Sequence, residues 1–177
     1  MLVGDSIRLS YAPIVTKQLD GKAVVVSPKA NGGDSSNVLS NLEKKLTETG
    51  KFQVSPGNYE SNLRTIVERI RKETGAIVLF ATTTPILDER AAAARKGRDY
   101  QLLEESVVQY NAIANKVMHE LKVPVNDLHE VLSKPISPDT TETLIGDDGV
   151  HMTGPGKDLL GQQVAVFLEN YLSPEQE

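Results

Sequence analysis

Two short runs at opposite ends of the chain carry the residue types needed to activate a hydroxyl group. Near the start, Gly4-Asp5-Ser6-Ile7-Arg8 follows the apolar pair Leu2-Val3 and leads into a helical segment, so Ser6 is expected at a strand-to-helix turn with its hydroxyl exposed. Backbone N–H groups at such a turn converge on one point and favour negative charge there. Near the end, Asp148-Gly149-Val150-His151 precedes another helical segment. A spacing of three lets one turn of backbone bring the carboxylate against an imidazole nitrogen and fix the tautomer. A serine hydroxyl is a poor nucleophile until a base takes its proton, and the base must itself be oriented by a third group. Ser6 as nucleophile, His151 as base and Asp148 as orienting carboxylate supply those three roles.

Each piece also has an ordinary reading. Gly-Asp-Ser alone is a common turn tripeptide. Asp147 and Asp148 could simply favour a following helix dipole, with His151 exposed. The coincidence of both runs, each before a helix, makes the catalytic reading the stronger one. The remaining histidines add little: His119 is expected on a helix surface, and His129 follows a strand with at most a minor pocket role. Three histidines without His-x-His or His-x-x-x-His spacing give no metal site, and Glu104-Glu105 reads as solvated helix surface.

Gly4-Asp5-Ser6 and Asp148-x-x-His151 resemble the first and last motif blocks of the SGNH/GDSL hydrolases. Asn31-Gly32-Gly33-Asp34-Ser35 is similar to the second block, with Gly33 at the matching glycine, and Ala81-Thr82-Thr83-Thr84-Pro85 is similar to a later segment of the same family. The resemblance runs over nearly the whole chain. It implies a flavodoxin-like α/β/α sandwich around a parallel sheet, and an oxyanion hole formed by the N–H groups of Ser6 and Gly33. It also implies a cofactor-free esterase acting on short acyl esters of carbohydrates or small molecules. Asp34 or Ser35 is expected to cap the next helix and leave the Gly33 N–H free.

The third family block, Gly-x-Asn-Asp or a variant such as Gly-Leu-His-Asp at the end of the third strand, has no counterpart. The chain passes from a helical segment through Thr49-Gly50-Lys51-Phe52 into Pro56-Gly57-Asn58-Tyr59. A third strand is therefore expected to be missing. The first strand is short as well, with Met1, Leu2 and Val3 where ~5–6 residues are usual. The competing reading is a weakened or inactive relative that binds a glycan or a partner through the old active face.

The elements that must position these residues follow from apolar patterning. Residues 23–26, 76–81 and 123–125 are short, β-branched runs expected as buried parallel strands, with Leu2-Val3 as the stub of another. Leu63, Ile66, Val67 and Ile70 keep one helical stripe, stopped by Gly75; Leu103, Val107, Tyr110, Ala114, Val117 and Leu121 keep a second. Another helix is expected over 36–48, and a last one from Pro155 or Gly156 to Leu172, with Leu159, Leu160, Val164, Phe167 and Leu168 inward. Loops 27–35, 82–99 and 134–150 should then gather on the face where parallel sheets bind ligands. Arg90, Arg95, Lys96 and Arg98 in the second loop are expected to be solvated or to cover a pocket.

Composition is that of one ordinary globular domain over residues 1–177, with 39% hydrophobic and 24% charged residues. A net charge of -5 with dispersed lysines and arginines argues against a nucleic-acid partner, which needs a basic face. No cysteine is present, so neither disulfides nor a thiolate nucleophile enter. No apolar run approaches the ~20 residues of a membrane span and the first residues lack signal-peptide character, so the default expectation is cytoplasmic.

Overall fold

The structure is a computed structural model that describes residues 1–33, 35, 37–38, 54–98, 100–134 and 137–172. Helix α1 (Ser6–Gln18) begins where Asp5 turns its carboxylate onto the first helical turn: Oδ1 accepts the N–H of Ile7 at 2.9 Å and of Arg8 at 3.5 Å. Two otherwise orphaned helical donors are thereby satisfied. The inward face of α1 buries Tyr11, Ala12 and Val15 against the last helix of the chain.

That last helix, labelled α7 (Gly154–Glu169), starts at Thr153, whose hydroxyl accepts the N–H of Gly156, with Pro155 in the first turn. Its start and its buried Leu160 and Val164 follow the sequence pattern; Leu159, Phe167 and Leu168 are half-buried. Gly161 lets α1 and α7 close on each other, since a Cβ there would lie 2.5 Å from Ile14 Cγ2.

Helix α2 (Pro56–Thr74) ends at Gly75 in the left-handed conformation, φ 66°, as the sequence predicts. It packs on α4 (Glu104–Glu120), with Tyr59 and Tyr110 rings 4.9 Å apart. Strands β1 (Phe80–Ala81) and β2 (Val125–Asn126) run parallel, Phe80 opposite Val125 and Ala81 opposite Asn126. Three short helices complete the described order: α3 (Asp88–Ala94), α5 (Leu128–Ser133) and α6 (Thr141–Leu144).

Among the described residues, two apolar clusters fill the interior. One gathers Tyr11, Val15 and Leu19 with Leu128, Leu132, Leu144, Leu160 and Val164; the other gathers Leu63 and Val67 with Ala114, Val117, Met118 and Val123. Leu63, Val67, Ala114, Val117, Leu160 and Val164 come from the stripes that helical periodicity singles out, whereas Tyr11, Val15, Leu19, Leu128, Leu132, Leu144 and Met118 lie outside them.

The sheet is smaller than the apolar runs suggest. Among the described residues, 23–26 and 76–79 form no ladder, although the Leu2 N–H donates to Val26 O at 2.8 Å and so sets the first segment beside the second. A β-branched run becomes a ladder strand only where a partner satisfies its backbone, and Val24 and Ile77 are 91% and 71% exposed. No described backbone hydrogen bond joins residues 2–4 to β1, the place where a third strand would lie. Residues 82–99 and 134–150, expected as loops, contain α3 and α6. The helix expected over 36–48 lies, apart from residues 37 and 38, outside the described residues.

Candidate functional site

Ser6 is the first residue of α1, so its hydroxyl stands at the helix N-terminus. Because Asp5 takes the N–H groups of Ile7 and Arg8, the Ser6 N–H is the first-turn donor that the cap leaves over. His151 lies just before α7, at the end of a tight turn: Gly146 N–H donates to His151 O at 2.7 Å, and Gly149 N–H to Gly146 O at 3.0 Å. Gly149 adopts φ 73°, which an L side chain rarely tolerates.

This turn folds Asp148 back on His151. One carboxylate oxygen, Oδ1, accepts the backbone N–H groups of Val150 and His151 at 2.9 and 2.8 Å. The other, Oδ2, meets His151 Nδ1 at 2.5 Å. Partial burial pushes the Asp148 carboxyl up, but the imidazole hydrogen bond, the two backbone N–H bonds and the histidine charge outweigh it and hold the group at about 2. The opposite imidazole nitrogen, Nε2, lies 2.9 Å from Ser6 Oγ, although the two residues are 145 positions apart in sequence. The structure thus brings together all three residues that the two motifs single out.

Gly33 has φ 57°, and a Cβ there would lie 2.7 Å from the Asn37 side-chain nitrogen, so glycine suits the position on both counts. Its N–H is not free, contrary to the sequence expectation: it donates to Asn31 Oδ1 at 2.9 Å. The asparagine two residues earlier closes a turn on it, a local alternative that a capping argument overlooks. The loop is nevertheless close to the turn that carries Ser6, since the Gly32 N–H donates to Gly4 O at 2.8 Å.

Two solved structures share this backbone. A lipase/acylhydrolase from Enterococcus faecalis superposes with a TM-score of 0.72 at 17% identity, covering 99% of this chain and 97% of that one. An acetyl xylan esterase superposes with a TM-score of 0.69 at 12% identity, covering 93% and 96%. The chain has the SGNH/GDSL hydrolase fold. No protein-family model and no curated protein matches its sequence.

Within this SGNH/GDSL fold, several residues that sequence reasoning missed support the motif residues. Arg95 Nη1 donates to Asp148 O at 2.9 Å, and Arg90 Nη1 to Ile145 O at 2.7 Å, so two arginines expected to be solvated or to cover a pocket brace the turn that carries Asp148 and His151. Leu87 N–H donates to Gly149 O at 2.9 Å and completes that brace. Beside it, α3 and residues 95–98 and 100–103 line a cleft of about 420 Å³, among them Ala92, Arg95, Tyr100 and Leu103.

His129 also has a larger structural part than expected. Its Nε2 pairs with Glu104 Oε1 at 2.6 Å, while Glu104 Oε2 accepts the Ile86 N–H at 2.7 Å, tying α5 to α4 and to the segment before α3. His119 is exposed on α4 as expected. Among the described residues no group of histidines and carboxylates could hold a metal ion.

Proposed function

We propose that the chain is a serine esterase that hydrolyses short acyl esters of carbohydrates or small molecules. The observation that carries this reading is the continuous chain Ser6 Oγ–His151 Nε2 at 2.9 Å and His151 Nδ1–Asp148 Oδ2 at 2.5 Å, built from opposite ends of the sequence. The fold's likeness to an acylhydrolase and an acetyl xylan esterase favours carboxylic esters with small acyl groups.

In this reading Ser6 Oγ attacks the ester carbonyl while His151 Nε2 takes its proton. Collapse of the tetrahedral intermediate returns that proton to the departing alcohol and leaves an acyl-serine. Water, activated by the same imidazole, then releases the acid and restores Ser6. Asp148 keeps Nδ1 protonated, so Nε2 is the accepting nitrogen. The oxyanion is received by the Ser6 and Gly33 N–H groups, and for the latter it displaces Asn31 Oδ1. With the family's third donor lacking, turnover is expected to be lower by ~10²–10³.

Treatment of the folded chain with a fluorophosphonate should give one adduct, on the peptide containing Ser6, alongside hydrolysis of p-nitrophenyl acetate. Neither adduct nor hydrolysis from folded protein would favour the non-catalytic binding module instead.

The pH dependence has a defined shape. Asp148, held at about 2 rather than 3.8, stays ionised down to that acidity and so keeps its hold on the His151 ring. Its native hydrogen bonds contribute stability that is complete above 3.8 and is lost as pH falls through about 2. The plateau of the pH–rate profile in Asp148→Asn should fall by about 10–10²: a wrong-tautomer effect of about 10⁴ in a complete Ser-His-Asp site, less the ~10²–10³ already lost with the third donor.

A further inference from the structure

We propose that Arg8 is a positioning residue that locks the nucleophile turn and the 27–33 loop into one oxyanion-binding unit. The proposal rests on the serine-esterase reading above.

Arg8 sits two residues after the nucleophile and is only 3% exposed. An arginine so placed on a helix ordinarily reaches water or a carboxylate, because a buried charge is costly unless compensated. Here its partners are neutral. Nη1 donates to Ser27 Oγ and Pro28 O, both at 2.7 Å, and Nη2 donates to Gly4 O at 3.0 Å and Ala30 O at 2.8 Å. No ion pair of Arg8 occurs among the described residues, and its Nε has no partner there. The guanidinium is therefore placed for its reach rather than for a charge partner.

Three of the four acceptors are backbone carbonyls on two segments. Gly4 lies two residues before Ser6; Pro28 and Ala30 lie just before Asn31-Gly32-Gly33. Gly4 O also receives the Gly32 N–H at 2.8 Å, and a Cβ on Gly32 would stand 2.8 Å from that oxygen. The two segments thus meet with no room to spare, and the arginine fork spans the seam. A trans peptide is planar, so a carbonyl drawn toward the guanidinium turns the next N–H the opposite way. Arg8 thereby fixes the peptide planes that carry the N–H groups of Asp5, Lys29 and Asn31, one residue before Ser6 and two residues before Gly33, the two proposed donors.

An oxyanion hole works only when its donors already stand where charge develops, about 2.7–3.1 Å from the future oxyanion. With two donors in place of three, the distance between them carries more of the effect. Lysine cannot substitute, because its single ammonium lacks the planar fork that reaches two acceptors from each terminal nitrogen.

The test uses the full chain with Arg8→Met and Arg8→Lys, read by kcat and KM for p-nitrophenyl acetate, thermal midpoint, and amide hydrogen exchange over residues 27–33. Arg8→Met should lower kcat by about 10²-fold, the size expected for a ~1 Å misplacement, with KM within about twofold. Exchange in the 27–33 loop should quicken. If Arg8→Met does not fold, Arg8→Lys keeps charge and bulk and should still lose at least about tenfold in kcat with faster loop exchange. Unchanged kcat and exchange in a folded variant would overturn the proposal. So would losses in kcat and KM that simply follow the thermal midpoint. Should wild type be inert to both ester and fluorophosphonate, the esterase reading fails. Loop exchange then decides the clamp alone: quickened in Arg8→Lys it stands, unchanged it falls.

Discussion

Ser6→Ala and His151→Ala should each bring hydrolysis of p-nitrophenyl acetate down to one common floor, with the double variant falling no further. Residues that act as a unit behave this way: where nucleophile and base depend on one another, loss of either costs about as much as loss of both, about 10⁶ in a complete serine-protease site. A lacking oxyanion donor removes about 10²–10³ of the starting rate, which leaves a fall of about 10³–10⁴ to be seen. Nε2 and Oγ at 2.9 Å are the physical reason for the coupling, since each variant removes one end of the same proton transfer. Initial rates over matched protein concentrations decide it. Independent, multiplicative losses would mean that the two side chains do not share a proton.

Gly149→Ala should be the most damaging single methyl group in the site. The residue has φ 73°, and a Cβ would lie 2.4 Å from the Ala91 N and 2.6 Å from the Leu87 O, both backbone atoms that cannot rotate away. The left-handed conformation costs an alanine ~1–2 kcal/mol, and forcing an extra carbon into a packed contact typically costs ~1–3 more. For a domain of this size ~2–5 kcal/mol corresponds to a thermal midpoint lower by about 4–20 °C. Calorimetry reads the shift directly. Activity should fall further than stability, because the same contact fixes the turn that holds Asp148 against His151. A midpoint within about a degree of wild type would show that the turn yields easily and that glycine is not required there.

The parts of the site written as local chemistry were legible in the sequence. Asp148, three residues before His151, reaches its ring as that spacing predicts. The apolar stripes of α2, α4 and α7 were legible for the same reason, since burial repeats with the helical period. What escaped depends on distant partners or on too short a signal. In the seven-residue α3, Ala91 is the buried member, so no stripe exists to be read. The runs 23–26 and 76–79 have strand composition, yet composition cannot say whether a neighbouring backbone is there to pair with. A helix cap at Asp34 or Ser35 leaves the Gly33 N–H free on sequence grounds, but the Asn31 carboxamide two residues earlier competes for it. Arg8 was invisible for a different reason. Its acceptors are mostly carbonyls, which every residue owns, so no residue type announces them.

The interior's division into two clusters bears on how the molecule breathes. Ser6 and His151 flank helices α1 and α7, which share the first cluster, whereas the β1–β2 pair belongs with α2 and α4 in the second. Proteins open in cooperative subunits of unequal free energy rather than all at once. If these clusters are such subunits, transient opening of the second leaves Ser6 and His151 on an intact framework. Heat or denaturant would then dissolve the sheet pair before it silenced the chemistry, and loss of activity would mark the melting of α1 from α7 rather than the first structural change.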